Sequence, residues 1–307
     1  MLPYARLTPG AGFRPLRSAA YYAQRLAPSP ALRNVVSSLL AWALRTLHGD
    51  VDAPPLDGAG LQTLTELRRD GFARLAPLAP PTAIDRMARY FARRPVVGPQ
   101  GEACRLEDLP HGTACAHYPL RTVLECPELL ALVNSPAVLR LAEAYLGCKP
   151  TLSSLGVRWS FPGHGKGARY QAFHRDVDDW RFLKLFIYLS DVEEDCGPHI
   201  YVRGSHRRRF GFSARSYGLE EIAARFGADS VTTVTGPAGS AFIADTVGVH
   251  CGAPPTGRPR LMLQAQYSIL PVFAFAYAPL ERGGARGVDP YCNRLLLRPG
   301  PDAALRN

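Results

Sequence analysis

The stretch AFHRDVDDW, residues 172–180, carries a histidine and an aspartate at alternate positions, His174 and Asp176. A second stretch farther along the chain, AFIADTVGVHCG at residues 241–252, supplies another histidine, His250. Two imidazoles and one carboxylate form a three-ligand face for Fe(II) and leave coordination positions open for a co-substrate and for O2. The sequence therefore predicts that these three side chains meet at one metal ion.

The spacing of the first two candidate ligands fits a strand, which we predict over YQAFHRD, residues 170–176. Side chains alternate between the two faces of a strand, so His174 and Asp176 project to one side and Arg175 to the other. His250 can reach them only if the intervening strands fold back. The pattern favours a mainly β protein with flanking helices, whose core is a double-stranded β-helix of the jelly-roll, cupin-like type.

The segment GRPRLMLQAQYS, residues 257–268, follows His250 and alternates as a strand does. It carries Arg260, whose planar fork of donors can bind the far carboxylate of an oxo-acid co-substrate through two hydrogen bonds. If Arg260 faces the interior, the alternation turns the same way a set of residues comprising Met262, Gln264, Gln266 and Ser268. Glutamines are costly in a dry core without partners, so this set indicates a hydrated, ligand-bearing interior.

The segment RFLKLFIYLSDV, residues 181–192, also alternates with a period of two. One side of the predicted strand is aliphatic and comprises Leu183, Leu185, Ile187 and Leu189; the other comprises Phe182, Lys184, Phe186 and Tyr188. The second side faces the barrel interior in this interpretation. We expect a solvated Lys184, and the alternative is that Lys184 or Tyr188 contacts a co-substrate.

Several motifs follow one another in an order that resembles a known family. They are LRRDGFARL (67–75), LECPELLALVNSPAVLRLAEAYLG (124–147), FHRD (173–176), LKLFIYLSDVEEDCGPHIYVRGSHR (183–207), TGPAGSAFIADTVGVH (235–250) and GRPRLMLQAQYS (257–268). Together they resemble the phytanoyl-CoA dioxygenase family of Fe(II)- and 2-oxoglutarate-dependent oxygenases, which includes bacterial ectoine hydroxylases. The resemblance extends from Leu61 to Pro271.

The resemblance implies a hydroxylase that uses Fe(II), 2-oxoglutarate and O2 and releases succinate and CO2. It implies that His174, Asp176 and His250 bind the iron and that Arg260 holds the 2-oxoglutarate carboxylate. Arg260 lies one position nearer to the distal histidine than is usual in the family, so Arg258 is the alternative anchor. Related halogenases have a small residue in place of the carboxylate ligand, so the presence of Asp176 favours hydroxylation.

Two other functions remain open at this point. One is a non-catalytic jelly-roll binding protein, and the other is a cupin-type hydrolase or isomerase with a different divalent metal. A pure binding protein has no need of an open iron site, so three ligands together with an anchoring arginine favour the oxygenase. His199 and His206 are possible rival ligands, but neither precedes an anchoring arginine, and the family resemblance gives His206 a structural role.

The composition suits a globular enzyme of 307 residues, with 47% hydrophobic residues and no apolar run that we expect to cross a bilayer. The seven cysteines include no C-x-x-C pair, which predicts reduced thiols and a cytoplasmic location. The run RRR at residues 207–209 lacks interleaved aromatic residues, so it indicates an exposed turn and no nucleic-acid partner.

The first 49 residues contain six arginines and no aspartate or glutamate. We predict a basic N-terminal helical segment with its linker over residues 1–56 and the dioxygenase domain over residues 57–307. Within the first segment, ALRNVVSSLLAWALRTLH, residues 31–48, has the period of an amphipathic helix. Its apolar side comprises Leu32, Val35, Val36, Leu39, Trp42, Ala43 and Leu47.

This helix has three interpretations. We expect it to pack on the catalytic domain. The alternatives are a membrane-surface helix, which would attach the protein peripherally to a membrane, and an organelle transit peptide. A formal net charge of +10 and a pI of about 9.5 favour an anionic substrate, either a small molecule or a lipid-linked one presented at a membrane.

Overall fold

Antiparallel strand pairing organises the fold. In chain order the strands of the described residues are β1 (Phe72–Leu75), β2 (Val96–Val97), β3 (Ala103–Cys104), β4 (Cys115–His117), β5 (Thr151–Ser160), β6 (Phe182–Tyr188), β7 (His199–Val202), β8 (Val231–Val234), β9 (Ala241–Ala244), β10 (His250–Gly252), β11 (Arg260–Ser268), β12 (Leu280–Arg282) and β13 (Leu297–Pro299). The computed structural model describes residues 15–25, 29–98, 100–163, 172–209, 217–282 and 288–299. Residues 1–14 and 26–28 of the predicted N-terminal segment, and Tyr170 and Gln171 of the predicted strand, lie outside these ranges.

A large sheet and a small sheet form the core. The large sheet has eight strands in the order β1-β9-β6-β11-β5-β4-β2-β3, and the small sheet has three in the order β10-β7-β8. β11 lies between β5 and β6 and is antiparallel to both. The predicted mainly β class with a double-stranded β-helix, or jelly-roll, core is confirmed.

The two faces of the large sheet carry different residues, as the alternation on β6 and β11 predicts. Leu183, Leu185 and Ile187 of β6 join a cluster that includes residues of the covering helices. Phe186 and Tyr188 lie on the other face, in a cluster that contains residues of the small sheet as well. The space between the two sheets is therefore lined by aromatic side chains, and the outer face of the large sheet holds the main aliphatic core.

Most of the helices lie on the outer face and edges of the large sheet, whereas the helix Leu219–Phe226 packs on the small sheet. The helices are α1 (Pro15–Arg25), α2 (Pro30–His48), α3 (Gly58–Asp70), α4 (Pro81–Ala92), α5 (Leu120–Leu124), α6 (Pro127–Val133), α7 (Pro136–Leu146), α8 (Leu219–Phe226) and α9 (Pro290–Asn293). One stretch, Pro127–Leu146, has the length and composition of a membrane span, contrary to our expectation from the sequence, but 61% of it is buried inside the fold. It consists of α6 and α7 with a break at Asn134 and Ser135, and both helices belong to the core.

The N-terminal helices attach to the loop between residues 174 and 181. Gln24 of α1 donates to the Asp179 carboxylate over 2.9 Å, and the Arg33 guanidinium of α2 donates to the Asp179 carbonyl and to the Gln24 carbonyl. The backbone N–H of Leu270, just beyond β11, donates to the same carboxylate over 2.8 Å. Asp179 thus joins two helices, the loop and the end of the central strand.

The segment that links α2 to α3 is held by α7. The Val51 N–H donates to the Glu143 carboxylate over 2.7 Å, and the Arg140 guanidinium donates to the carbonyls of Val51, Ala53 and Pro54. Polar contacts therefore anchor this Pro-rich stretch on the helix beneath it. The division of the chain after residue 56 stays a prediction.

Candidate metal centre

Two segments of backbone bring the predicted ligands together. His174 and His250 exchange a pair of backbone hydrogen bonds of 2.9 and 3.0 Å, and the Asp176 N–H donates to the Thr246 carbonyl over 2.9 Å. The described part of YQAFHRD forms only single bridges and no regular strand, so the predicted strand is wrong there. The extended pairing with residues 246–250 nevertheless turns both side chains to one side.

The three predicted ligands form a compact group. One ligand atom from each of His174, Asp176 and His250 can be chosen so that all lie within 4.8 Å of one another. The His174 Nε2 atom is 3.7 Å from Asp176 Oδ1, and His250 Nε2 is 3.4 Å from Asp176 Oδ2. A divalent metal at about 2.0–2.2 Å from nitrogen and oxygen ligands fits a group of this size. These residues could therefore hold one metal ion.

Backbone carbonyls fix the orientation of both imidazoles. His174 Nδ1 lies 2.8 Å from the Ala172 carbonyl, and His250 Nδ1 lies 2.9 Å from the Gly248 carbonyl. A carbonyl can only accept, so each Nδ1 carries the proton and each Nε2 presents its lone pair. Metal-binding histidines in proteins are held in this way. Burial and the neighbouring His250 imidazole lower the pKa of His174, which favours the neutral form that a metal requires.

The carboxylate of the group is paired with a buried lysine. Lys184 of β6 is 8% exposed, and its Nζ lies 2.6 Å from Asp176 Oδ2 and 3.5 Å from Asp178 Oδ2. The expectation of a solvated Lys184 is therefore wrong. Burial acts to raise the pKa of Asp176, but the adjacent Lys184 ammonium group opposes it, and that pKa lies well below its usual range. Asp176 is thus ionised and ready to bind a cation.

A substitution at Lys184 should distinguish the role of this residue from that of the metal ligands. We expect Lys184→Met to lower the melting temperature of the metal-free protein, because loss of one partner of a buried ion pair costs about 3 kcal/mol. A bound metal neutralises Asp176 in place of the ammonium group. Divalent metal should therefore raise the melting temperature of the variant more than that of the wild type, as thermal unfolding with chelator and with metal would show.

Lys149→Met is the matched control for this measurement. Lys149 pairs with Asp289 over 2.8 Å, and both side chains are largely buried. Its loss should lower the melting temperature and leave the metal-induced increase at the wild-type value. If Lys184→Met loses the response to metal, then Lys184 supports metal binding and does not merely balance the charge of Asp176.

Arg260 is a buried cation with few partners. It is 2% exposed, and its guanidinium donates to Ser160 Oγ over 3.3 Å, whereas Nε and Nη1 have no hydrogen-bond partner among the described residues. Burial lowers the pKa of Arg260 to about 10. A Cβ atom on Gly252 would lie 3.2 Å from Nη2, so glycine leaves room beside the guanidinium. The guanidinium therefore keeps buried donors available for a carboxylate ligand.

The sequence did not decide whether four other residues contribute to this site, and the structure shows that they differ in burial and in hydrogen bonding. Arg258, the alternative anchor, is exposed and pairs with Glu193 and Asp195. The Tyr188 hydroxyl donates to the Val234 carbonyl and accepts from the His199 N–H, so protein atoms already use it. Gln266 is buried and its amide nitrogen has no hydrogen-bond partner among the described residues, and Gln264 is half-buried.

His199 is a site residue that the sequence reasoning set aside. It is buried on β7, and its ring stacks on the His250 ring with centroids 5.5 Å apart and packs on Phe186 at 4.7 Å. Burial, with the charges of His250 and Arg260, holds its pKa well below the ordinary value. His199 is thus a neutral ring that packs against His250. The pairing of β7 with β10 could not be derived from the sequence, and it was the only signal that places His199 there.

Two further predicted roles can be located. Arg175 points away from the ligands and donates to the carbonyls of Ser205 and Val247. The Asp245 carboxylate accepts from the Val247 N–H over 3.0 Å and so holds the turn before His250. His206 lies 3.3 Å from the Arg68 carbonyl and packs against Gly71, so the structure places it outside the metal-ligand group.

No protein-family model and no curated protein matches the sequence. Among solved structures the chain is similar to EctD from S. alaskensis with 2-oxoglutarate and 5-hydroxyectoine, with a TM-score of 0.52 and 19% identity over 82% of this chain and 92% of that one. The EctD apoform gives a TM-score of 0.51 and 18% identity over 81% and 91%. The epimerase SnoN in complex with Fe3+, alpha ketoglutarate and nogalamycin RO gives a TM-score of 0.47 and 23% identity over 68% of this chain and 83% of that one. The EctD likenesses show a common fold.

Proposed function

We propose that the protein is an Fe(II)- and 2-oxoglutarate-dependent dioxygenase that hydroxylates an unactivated carbon of a small-molecule or lipid-like substrate. The observation that carries the proposal is the group of His174, Asp176 and His250 together with the buried Arg260, whose Nε and Nη1 have no hydrogen-bond partner among the described residues. 2-Oxoglutarate binds a metal at one end and needs a cation for the carboxylate at its other end. The three-ligand face and Arg260 offer these two sites. The fold shared with EctD, which was solved with 2-oxoglutarate, supports the same conclusion.

In this proposal each side chain has a definite task. His174, Asp176 and His250 hold the ferrous ion, and the Ala172 and Gly248 carbonyls keep both Nε2 atoms directed at it. When bound, iron supplies the oxidation in which 2-oxoglutarate and O2 give succinate, CO2 and a hydroxylated substrate. Arg260 positions 2-oxoglutarate by binding the carboxylate that is distal to the metal. The aromatic residues between the sheets limit the access of water to the site.

Within this class we propose that the protein belongs to the phytanoyl-CoA dioxygenase family, because its motifs between Leu61 and Pro271 follow one another in the order typical of that family. The carboxylate at Asp176 favours hydroxylation over halogenation, since a halide would need the position that the carboxylate fills. The His-x-Asp ligand pair and a deep arginine on the central strand agree with this assignment.

Succinate formation tests the proposal directly. The purified protein with Fe(II), 2-oxoglutarate and O2 should release succinate slowly, and a true substrate chosen from a panel of small molecules and lipid-linked compounds should accelerate the release. Chelation of iron or removal of O2 should stop it. Binding of 2-oxoglutarate without any succinate would instead indicate a non-catalytic protein, and turnover of a substrate without O2 would indicate a hydrolase or isomerase.

A further inference from the structure

The helix α2 presents its apolar side to solvent. Leu32, Val35, Leu39 and Trp42 follow helical spacing and Leu47 extends the row, with exposed fractions of 50, 58, 64, 70 and 73% respectively. These five residues are the apolar stripe of α2. Soluble proteins rarely leave a continuous row of large apolar side chains in water, and such rows mark interaction surfaces.

The side of α2 that meets the protein is mixed: Leu40, Ala41 and Leu44 pack on the main core, and polar contacts are made beside them. Arg33, Ser37 and Ala41 are buried, and Ala41 approaches the C-terminal glycine of α7 so closely that a Cβ on Gly147 would lie 3.3 Å from its methyl group. Arg33 is bound to Asp179 and Gln24, and the Arg181 guanidinium donates to Ser38 Oγ over 3.3 Å. α2 does lie on the domain, as we expected, but the apolar side is turned outward. Specific polar contacts fix that orientation.

Positive charge lies beside the apolar stripe. The first 49 residues hold six arginines and no carboxylate side chain. A cleft of about 440 Å³ opens along one flank of α2, and the described residues that line it include four arginines and a single carboxylate, namely Arg33, Arg68, Arg181, Arg207 and Asp245. Arg68 and Arg181 donate to the backbone carbonyls of Ala144 and Leu146, which are neutral groups, and neither forms an ion pair among the described residues.

We propose that α2 docks on the surface of an anionic phospholipid bilayer, with the apolar stripe in the headgroup boundary and the arginine-lined cleft beside the lipid phosphates. α2 is about 28 Å long, sufficient to lie flat along the surface, and a tryptophan within the stripe is typical of helices at this depth. A second copy of the chain fits less well, because each copy carries a formal net charge of +10. The inference concerns binding and does not depend on the proposed catalytic function.

Docking in this orientation would place the metal centre near the membrane. Trp180 and Val247, which line the cleft, lie four residues after Asp176 and three before His250. A substrate embedded in the bilayer could therefore approach the ligands from the side of α2. This consequence, unlike the docking itself, rests on the proposed function.

Sedimentation of the full-length protein with vesicles tests the docking. The protein should sediment with phosphatidylcholine vesicles that contain phosphatidylglycerol and less with phosphatidylcholine alone. Leu39→Glu should lower the vesicle affinity about tenfold or more, since the burial of one leucine side chain is lost. Thr82→Glu is the matched control: it makes the same charge change at an exposed position of α4 and should leave the affinity within about twofold.

Fluorescence supplies a second measurement that does not depend on the charged variants. Trp42 is highly exposed, whereas Trp159 and Trp180 are half-buried, so vesicles should shift tryptophan emission to the blue mainly through Trp42. Trp42→Phe should sediment with vesicles and lose most of that shift.

Three results would overturn the inference. The first is a wild-type protein that stays in the supernatant with both kinds of vesicle. The second is an equal loss of affinity in Leu39→Glu and Thr82→Glu, which would assign binding to net charge alone. The third is a dimer in light scattering that Leu39→Glu converts to a monomer, which would assign the apolar stripe to a second copy of the chain.

Discussion

Asp176→Asn should abolish Fe(II) binding and reduce succinate formation at least roughly 1,000-fold, because substitutions that only touch a metal ligand already cost 10–100-fold. The asparagine amide keeps the shape of the side chain, and its oxygen can still accept from Lys184 Nζ, which lies 2.6 Å from Asp176 Oδ2. It cannot supply the negative charge that a ferrous ion needs between two neutral imidazoles. Calorimetric titration with metal under anaerobic conditions would measure the loss of binding separately from activity.

Asp178→Asn is the matched control for this experiment. Asp178 also faces Lys184, at 3.5 Å, and its side chain is as buried as that of Asp176, but it is outside the three-residue group. The substitution should leave metal affinity within a few-fold of the wild type. Equal loss of metal in both variants would mean that the local negative charge, and not a specific ligand, attracts the ion, and the proposed metal centre would be wrong.

Arg260→Gln should raise the dissociation constant for 2-oxoglutarate about 100-fold or more, since loss of one partner of a buried charge pair costs about 2–5 kcal/mol. Metal affinity should be unchanged, because Arg260 is not in the ligand group. The ligand-free protein should unfold at the same temperature or a higher one, as the substitution removes a buried cation whose Nε and Nη1 have no hydrogen-bond partner among the described residues. Only the increase in melting temperature that 2-oxoglutarate causes should be lost.

Arg258→Gln decides between the two arginines that the sequence left open. Arg258 is exposed and bound to Glu193 and Asp195, so its loss should leave the affinity for 2-oxoglutarate within about twofold. Arg260→Lys should fall between the wild type and Arg260→Gln, because lysine keeps the charge and loses the fork of two donors. A weakening in Arg258→Gln with none in Arg260→Gln would reverse the assignment.

The sequence predicted the sheet faces well, and the reason is geometrical. On β6 and β11 the pleat forces alternate side chains to opposite faces whatever surrounds them. Leu185 therefore lies in the outer core, and Phe186 and Met262 lie between the sheets, as their positions in the chain require. The convergence of His174, Asp176 and His250 was also predicted, although an isolated bridge between His174 and His250, and not a regular strand over residues 170–176, achieves it. Their role as iron ligands stays a prediction.

The misplaced residues are those whose position depends on tertiary contacts. A lysine on an interior face is costly unless a carboxylate meets it, and Asp176 meets Lys184 from a loop whose course the sequence does not specify. Amphipathic spacing in α2 predicts two sides but cannot show which one meets the protein. The buried hydrogen bond from Arg33 to the Asp179 carbonyl and the close approach of Ala41 to Gly147 determine that choice, and each involves a residue more than a hundred positions away.

Asp179 connects the N-terminal helices α1 and α2 to the loop that carries Asp176. A chain shortened to begin at residue 57 would lose both Gln24 and Arg33, and a buried carboxylate and its carbonyl would be left without these donors only three residues from Asp176. Such a fragment should fold with a loosened metal loop even though every proposed ligand is present. The hydrogen bond from Arg33 of α2 to Asp179 thus connects this helix to Asp176 through three residues of the loop. The position of α2 is therefore coupled to the loop that carries Asp176.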